Sequence, residues 1–541
     1  MNQNPSQEVL ILLFLRWMIV IHTGMTMATE DYSEQHVLMQ AWGVGGNGSN
    51  NDDDTTTTTT TDWRHMLSVH TVSRPVPGPT ECCIQVLYAD VNPVDFQKVR
   101  QQWRMIRQQH PTNTNNETQK QGNTNSSSGN NNNNNNDNHQ KKDPLPLFVP
   151  GYSGSGIIVQ RGDSDRRRRH SHRVVVNEEE YHDHDDDELA IPAEFAVGTR
   201  VVFLLHPAAA GSGAYAEYCV ADYRAMAVVP DPSPPVSMMN STTTTITIIP
   251  PQPRITDQMA ATVPLAGCTA YEALVKVGLG PNQVIQTSSN GSNITTSSSN
   301  NNKVLIVGGA GGVGSWILLL LQAWHNNNND DGDDDALDVI VTTSSQASRD
   351  WCRQLHKNVQ CIHHNAILSL GGGPKGSVKY IICLTEPTPP LFKALTEVIA
   401  PYGCICLVGS GPALQSLDVS FLFFKSASLQ TVTVFSCFRT QLMASVSGLP
   451  LPATRMKELL QGLATGRIPR APLSPLVQGS AASAVLEYDW HNLIQLRRAG
   501  PTVMDVVASG HAQGKFSLRM VAATTTENTD DADVTDTKVL I

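Results

Sequence analysis

A chain of 541 residues has room for several domains, but tracts of Asn, Asp, Ser and Thr leave only about 350 residues able to bury a core, enough for two. The formal net charge of −11 sits mainly in the runs Asp183 to Glu188 and Asp330 to Asp335, and the one basic cluster, Arg166 to Arg169, lies beside the first, so no nucleic-acid surface is expected. Ten cysteines occur without a Cys-x-x-Cys pair, and Cys383, Cys404 and Cys406 fall in apolar runs, which points to a reducing compartment, the cytoplasm, rather than to a disulfide framework.

Residues 1–38 read as an extension. Within it Val9 to Ile21 is apolar enough for the core of a secretory or organellar signal, but Arg16 interrupts it and it is too short to span a bilayer. Residues 39–262 read as a mostly β domain, with strands predicted at Ile84 to Asp90, Phe148 to Gln160 and Thr199 to Leu205, bounded by Gly and Pro. Six polar tracts interrupt the folded text: Gly45 to Thr61, Pro111 to Asp143, Asp163 to Glu188, Pro232 to Pro253, Thr287 to Asn302 and Asn326 to Asp335. They and the tail 522–541 are predicted to be disordered, because such compositions bury too little apolar surface to offset chain entropy.

A second domain is expected over 263–413. From Lys303 the pattern becomes strand, glycine turn, helix: strands at Val304 to Val307, Val339 to Thr342, Val359 to His363, Val378 to Leu384 and Cys404 to Val408, and helices at Val313 to Trp324, Gln346 to Leu355 and Leu391 to Ile399. Such alternation specifies a doubly wound parallel sheet with helices on both faces, an α/β fold. Residues 414–521 return to mixed β and helix and end in a strand at Phe516 to Val521, which is expected to complete the first domain.

The motif that carries chemistry is Gly309-Ala310-Gly311-Gly312-Val313-Gly314, set between an apolar strand and an apolar helix. The first glycine permits the tight turn, the second lets backbone approach a pyrophosphate, and the third lets helix and strand pack closely; the helix N-terminus supplies N–H groups to the phosphates. NAD enzymes place a carboxylate at the end of the second strand, where this chain has Thr343, Ser344 and Ser345, followed by Arg349. Hydroxyls and a guanidinium suit a 2′-phosphate, so NADP(H) is the expected cofactor.

The glycine motif, the phrase Pro264-Leu-Ala-Gly-Cys-Thr-Ala-Tyr and the phrase Asp90-Val-Asn-Pro-Val-Asp resemble quinone oxidoreductases of the medium-chain dehydrogenase/reductase superfamily. Trp351 after the second strand, and Tyr380-Ile-Ile-Cys-Leu-Thr ahead of Ile399-Ala-Pro-Tyr-Gly-Cys, are most similar to the branch called zinc-type alcohol dehydrogenase-like proteins. The resemblance implies a GroES-like β domain beside a Rossmann domain, a homodimer or homotetramer, and NADPH-dependent reduction of a small electrophile, either a quinone or an enal or enone. It further implies that Thr269 lies near the nicotinamide, Leu384 and Gly409 lie under the cofactor, and Lys515 lies close to the phosphates.

Zinc alcohol dehydrogenases of this superfamily hold their catalytic metal with Cys and His, and the matching places here carry Asn92 and Tyr152. Zinc is therefore not expected. Without a metal, oxyanion charge must be met by hydrogen-bond donors, and Tyr152 and Asn92 are the candidate catalytic residues. Two alternatives stay open: a zinc-dependent alcohol dehydrogenase, and an NADPH-binding scaffold or redox sensor with little catalysis.

Overall fold

The computed structural model describes residues 38–43, 66–109, 147–162, 190–206, 213–231, 237–239, 246–248, 255–281, 303–325, 337–371, 376–436, 452–474, 507, 509–510 and 512–520. The chain divides into Met1–Leu38, of which only Leu38 is described, and Met39–Ile541, to which everything below refers. The apolar segment Val9 to Ile21, the tail 522–541 and most of the polar tracts lie outside the described residues. Among the described residues no helix is long and apolar enough to cross a membrane.

The first half of the chain contributes β1 (Leu38–Gly43), β2 (Ser68–Ser73), β3 (Glu81–Val91), β4 (Ser153–Arg161), β5 (Arg200–Leu204), β6 (Tyr218–Asp222) and β7 (Met226–Val228). Strands β3, β4, β5 and β7 pair antiparallel in that order, and β6 also pairs with β3. Ile84, Val86, Ile158, Val201, Phe203 and Phe195 fill the core against this sheet. The tract Pro232 to Pro253 corrects the expectation of disorder throughout: β8 (Ser237–Met239) and β9 (Ile246–Ile248) pair antiparallel within it. Their Met-Met and Ile-Thr-Ile sequences are more apolar than the Asn, Ser and Thr residues between them.

A helix that the strand-and-turn reading omitted, α1 (Pro93–Gln109), follows β3 directly. Proline starts it, and Asp95 in its first turn accepts the Asn92 backbone N–H at 2.8 Å. Phe96, Val99, Trp103 and Ile106 recur at helical spacing and pack on the β-domain core, while Gln101 and Arg104 between them are exposed.

The second half holds α2 (Asp257–Ala261), α3 (Cys268–Val277), β10 (Lys303–Val307), α4 (Gly312–His325), β11 (Asp338–Thr343), α5 (Gln346–Leu355), β12 (Gln360–His363), β13 (Val378–Cys383), α6 (Pro389–Val398), β14 (Ile399–Leu407), α7 (Ser420–Lys425), β15 (Ser428–Thr431) and α8 (Pro452–Ala464). Strands β10 to β15 form one parallel sheet in the order β12-β11-β10-β13-β14-β15. This is a doubly wound order whose direction reverses beside β10, the crevice where such sheets bind ligands. Helix α4 is buried from Gly314 to Leu321 because it is covered by α3 and α5 as well as by the sheet. The last strand, β16 (Phe516–Arg519), pairs antiparallel with β3, with Phe516 opposite Val91. The end of the chain thereby returns to the first sheet, at the point where β3 gives way to Asn92.

His356, at the end of α5, is 2 % exposed, and its Nδ1 has no hydrogen-bond partner. Burial pushes its imidazole down to about 4 from 6.5. A folded pKa below the unfolded one means that the unfolded chain binds the proton first, so this contribution to stability is present above about 6.5 and is lost as pH falls toward 4. The loss amounts to about 3 kcal/mol. Urea midpoints of wild type and His356→Gln at a series of pH values should converge as the buffer is acidified across this window.

Candidate nucleotide cleft

The turn between β10 and α4 is built from glycines that serve different ends. Gly308 has φ +82°, and its N–H donates to Thr342 Oγ1 at 2.9 Å. A Cβ on Gly309 would lie 2.3 Å from Val341 Cγ1, and one on Gly314 would lie 2.4 Å from Gly309 O, so both glycines are required by packing. Gly311 differs, because a Cβ there meets nothing nearer than Gly308 O at 3.9 Å. The turn is braced from behind: Ser315 Oγ donates to Ala310 O at 3.2 Å, Trp351 Nε1 donates to Ser315 Oγ at 2.9 Å, and Gly514 N donates to Ala310 O at 2.9 Å.

A cleft of about 420 Å³ opens in front of this turn. Gly308, Gly311, Gly312, Val313 and Gly314 form one wall, with Leu384 and Thr385 after β13 and His364 after β12. The opposite wall comes from the β domain: Val91, Asn92, Phe96, Gln97 and Arg100, with Gly514, Lys515 and Phe516 of the returning segment.

Under that wall lies a buried polar network. Lys515 Nζ sits 2.8 Å from Asp90 Oδ1 and donates to Val91 O at 2.9 Å and to Asn92 Oδ1 at 2.7 Å. Asn92 Nδ2 donates to Asp90 Oδ2 at 3.0 Å and reaches Ser153 Oγ at 3.4 Å. Burial pushes the Asp90 carboxyl up, and the Lys515 ammonium opposes that shift. Burial also pushes Asp95 up, to about 7, although its carboxylate accepts the Asn92 N–H and the Tyr215 hydroxyl.

The structure brings some of the sequence-derived site residues together and leaves others apart. Gly311, Gly312, Val313, Gly314, Asn92, Leu384 and Lys515 line the cleft. The Lys515 stem packs on Gly312, where a Cβ would lie 2.3 Å from Lys515 Cδ, but its ammonium turns to Asp90 and Asn92. Thr269 is buried on α3 and Gly409 packs against Thr385 O, both outside the lining. Tyr152 is also outside it: 4 % exposed, its ring meets Phe435 edge-on at 5.4 Å, and its hydroxyl has no hydrogen-bond partner. Burial pushes the Tyr152 phenol up, so it stays protonated at neutral pH.

At the end of β11, Ser345 Oγ caps α5 by accepting Ser348 N–H at 3.1 Å, and Ser344 is exposed. Thr343 Oγ1 and Arg349 Nε are buried without hydrogen-bond partners. Sequence reasoning missed Phe96, Gln97, Arg100, His364 and Thr385. The helical spacing from Phe96 to Ile106 was the one signal that could have found the first three.

This combination defines a class: a dinucleotide-type glycine turn facing a second, antiparallel β domain across a cleft. No protein-family profile matches the chain, and no curated protein sequence matches it. Solved structures do. A putative zinc-dependent alcohol dehydrogenase from Rhizobium etli CFN 42 is 19 % identical over 90 % of this chain and 99 % of its own, with a TM-score of 0.51. The 2-octenoyl-CoA carboxylase reductase CinF, in complex with NADP and 2-octenoyl-CoA, is 14 % identical over 89 % and 87 %, also at 0.51. The quinone oxidoreductase from Coxiella burnetii is 14 % identical over 90 % and 100 %, at 0.49. The chain shares its fold with the first two of these structures, a Rossmann-type parallel sheet joined to a GroES-like β domain.

Proposed function

We propose that this chain is a zinc-independent NADPH-dependent oxidoreductase that passes hydride to a quinone or an α,β-unsaturated carbonyl. The observation that carries the reading is Gly311: its missing side chain leaves open space at the N-terminus of α4, on the wall of a cleft large enough for part of a dinucleotide. The residues fit the cofactor at its far end too, since Thr343 Oγ1 and Arg349 Nε are buried polar atoms without partners beside the exposed Ser344. With Ser345 they are the proposed 2′-phosphate contacts. Thr269, Leu384 and Gly409 are the proposed nicotinamide side, and the Lys515 stem lies beside the phosphate turn.

When bound, the nicotinamide supplies the hydride. The chain's own part is to exclude water and to meet charge developing on the acceptor oxygen. Tyr152, whose hydroxyl has no hydrogen-bond partner, is the proposed proton donor, although it lies outside the cleft lining and burial makes it a weaker acid. Asn92 has its amide held by Asp90, Ser153 and Lys515, so it presents a fixed edge to the cleft rather than a free one. Asn92 and Tyr152 in place of Cys and His support the zinc-free reading. The reading also agrees with a neighbour of the same fold that holds NADP and an enoyl thioester.

The test is NADPH against NADH binding by fluorescence, then NADPH oxidation with a naphthoquinone and an enal, with and without a chelator. NADPH-preferring, chelator-insensitive turnover is expected. Arg349→Ala should weaken NADPH about tenfold, roughly 1.4 kcal/mol, and leave NADH unchanged. Failure to bind either nucleotide would sink the proposal. Chelator-sensitive turnover would favour a zinc alcohol dehydrogenase, and binding without turnover a scaffold or sensor.

A further inference from the structure

Helix α1 sets Phe96, Gln97 and Arg100 on the cleft. Residues at these spacings share one helical face. The helix is held from behind, since Val99 is buried and Trp103 and Ile106 pack on the β-domain core. Its first turn is fixed by Pro93 and by the Asn92 N–H on the Asp95 carboxylate. Phe96 is buried, Gln97 exposed and Arg100 half-buried, so Arg100 projects into the cleft from a rigid base.

The charge lining the cleft is one-sided. Among the described residues that line it there is no Asp or Glu, and the side chains able to carry positive charge are Arg100, Lys515 and His364. The Lys515 ammonium lies 2.8 Å from the buried Asp90 carboxylate, so its charge is matched inside the wall. Burial, with His363 beside it, pushes the His364 imidazole down, which keeps it neutral at pH 7. A guanidinium stays charged, and its planar fork fits two phosphate oxygens at once.

The turn across the cleft is short of positive charge. The N-terminus of α4 offers backbone N–H groups and roughly half a positive charge, whereas both phosphates of a diphosphate are anionic. The Lys515 stem covers Gly312, and the open part of the turn is at Gly311. A diphosphate seated over Gly311 would have the glycine turn on one side and α1 of the β domain on the other.

We propose that Arg100 is a diphosphate-binding residue, which completes from α1 the anion site that the glycine turn opens on α4. The inference rests on the nucleotide reading above and deepens it. Arg349 belongs to the 2′-phosphate end, which only NADPH carries; Arg100 acts on the diphosphate that every dinucleotide of this class shares. It therefore adds affinity without choosing between NADPH and NADH.

The experiment titrates the full chain with NADPH, NADH and ADP-ribose, the last keeping the diphosphate without the nicotinamide. Arg100→Ala should weaken all of them alike, by about tenfold to a hundredfold. Arg100→Lys, which keeps the charge but loses the fork, should fall between it and wild type. Raising salt should weaken ADP-ribose binding more steeply in wild type than in Arg100→Ala, a difference that a purely structural role would not produce. Melting curves check that each variant is folded, and Arg100→Gln, which keeps much of the stem on α1, replaces Arg100→Ala if that variant is not. Folded Arg100 variants that bind ADP-ribose like wild type would overturn the proposal while the nucleotide reading stands. A loss confined to NADPH would overturn it too, by moving Arg100 to the 2′-phosphate. A wild-type chain that binds none of the probes would overturn both.

Discussion

Gly311→Ala should leave the protein as stable as wild type, with a melting temperature within about 1 °C, yet weaken NADPH binding by about tenfold to a hundredfold. The added methyl meets no protein atom within 3.9 Å, so the folded chain has nothing to lose. It projects where the backbone would have to approach the pyrophosphate. Gly314→Ala should do the reverse in order of cause. Its Cβ would lie 2.4 to 2.6 Å from the O, Cα and C of Gly309, all backbone atoms that no rotamer can move aside. The turn must open, at a cost on the order of 3 kcal/mol, and the melting temperature should fall by about 5–10 °C. Nucleotide binding is then lost because the turn is lost. Melting curves and fluorescence titrations on the two variants separate the effects. A Gly311→Ala protein that bound NADPH like wild type would remove the glycine turn as the cofactor site.

The same contrast explains what was legible beforehand. A turn that needs φ +82° at Gly308 and backbone contact at Gly309 and Gly314 must be written in glycine, so the sequence displays it. Strands β10, β11 and β13 were legible because a parallel sheet buried on both faces needs unbroken apolar runs. The α/β class followed from the same alternation, and solved structures of the same fold bear it out. Helix α1 was hidden by its Gln and Arg content, although Phe96, Val99, Trp103 and Ile106 carried the period. Two paired strands inside a tract read as disordered were hidden by the threonine run that separates them. The polar network was illegible for a different reason. Asp90 and Lys515 come from opposite ends of the chain, and their pairing exists only because β16 docks beside β3. Nothing local to Lys515 says whether its ammonium faces a phosphate or a carboxylate.

That last ambiguity leads to the second large effect. Lys515→Met should destabilise the nucleotide-free protein by about 3–5 kcal/mol, because Asp90 is left fully buried without its cation. Asp90→Asn should cost less, since the amide still meets Asn92 and Ser153 and the ammonium keeps Val91 O and Asn92 Oδ1. The double variant Asp90→Asn with Lys515→Met should recover much of the loss, because neither member of the pair is then left as an uncompensated charge. Urea unfolding of the three variants without nucleotide measures that coupling. If Lys515 instead serves a bound phosphate, its single variant will unfold like wild type without nucleotide and lose NADPH affinity alone. In the geometry observed, the ammonium has three acceptors inside the protein and its stem against Gly312. Loss of stability should therefore come first, and any loss of NADPH binding should follow from the collapse of the wall that Asn92 and Lys515 hold in place.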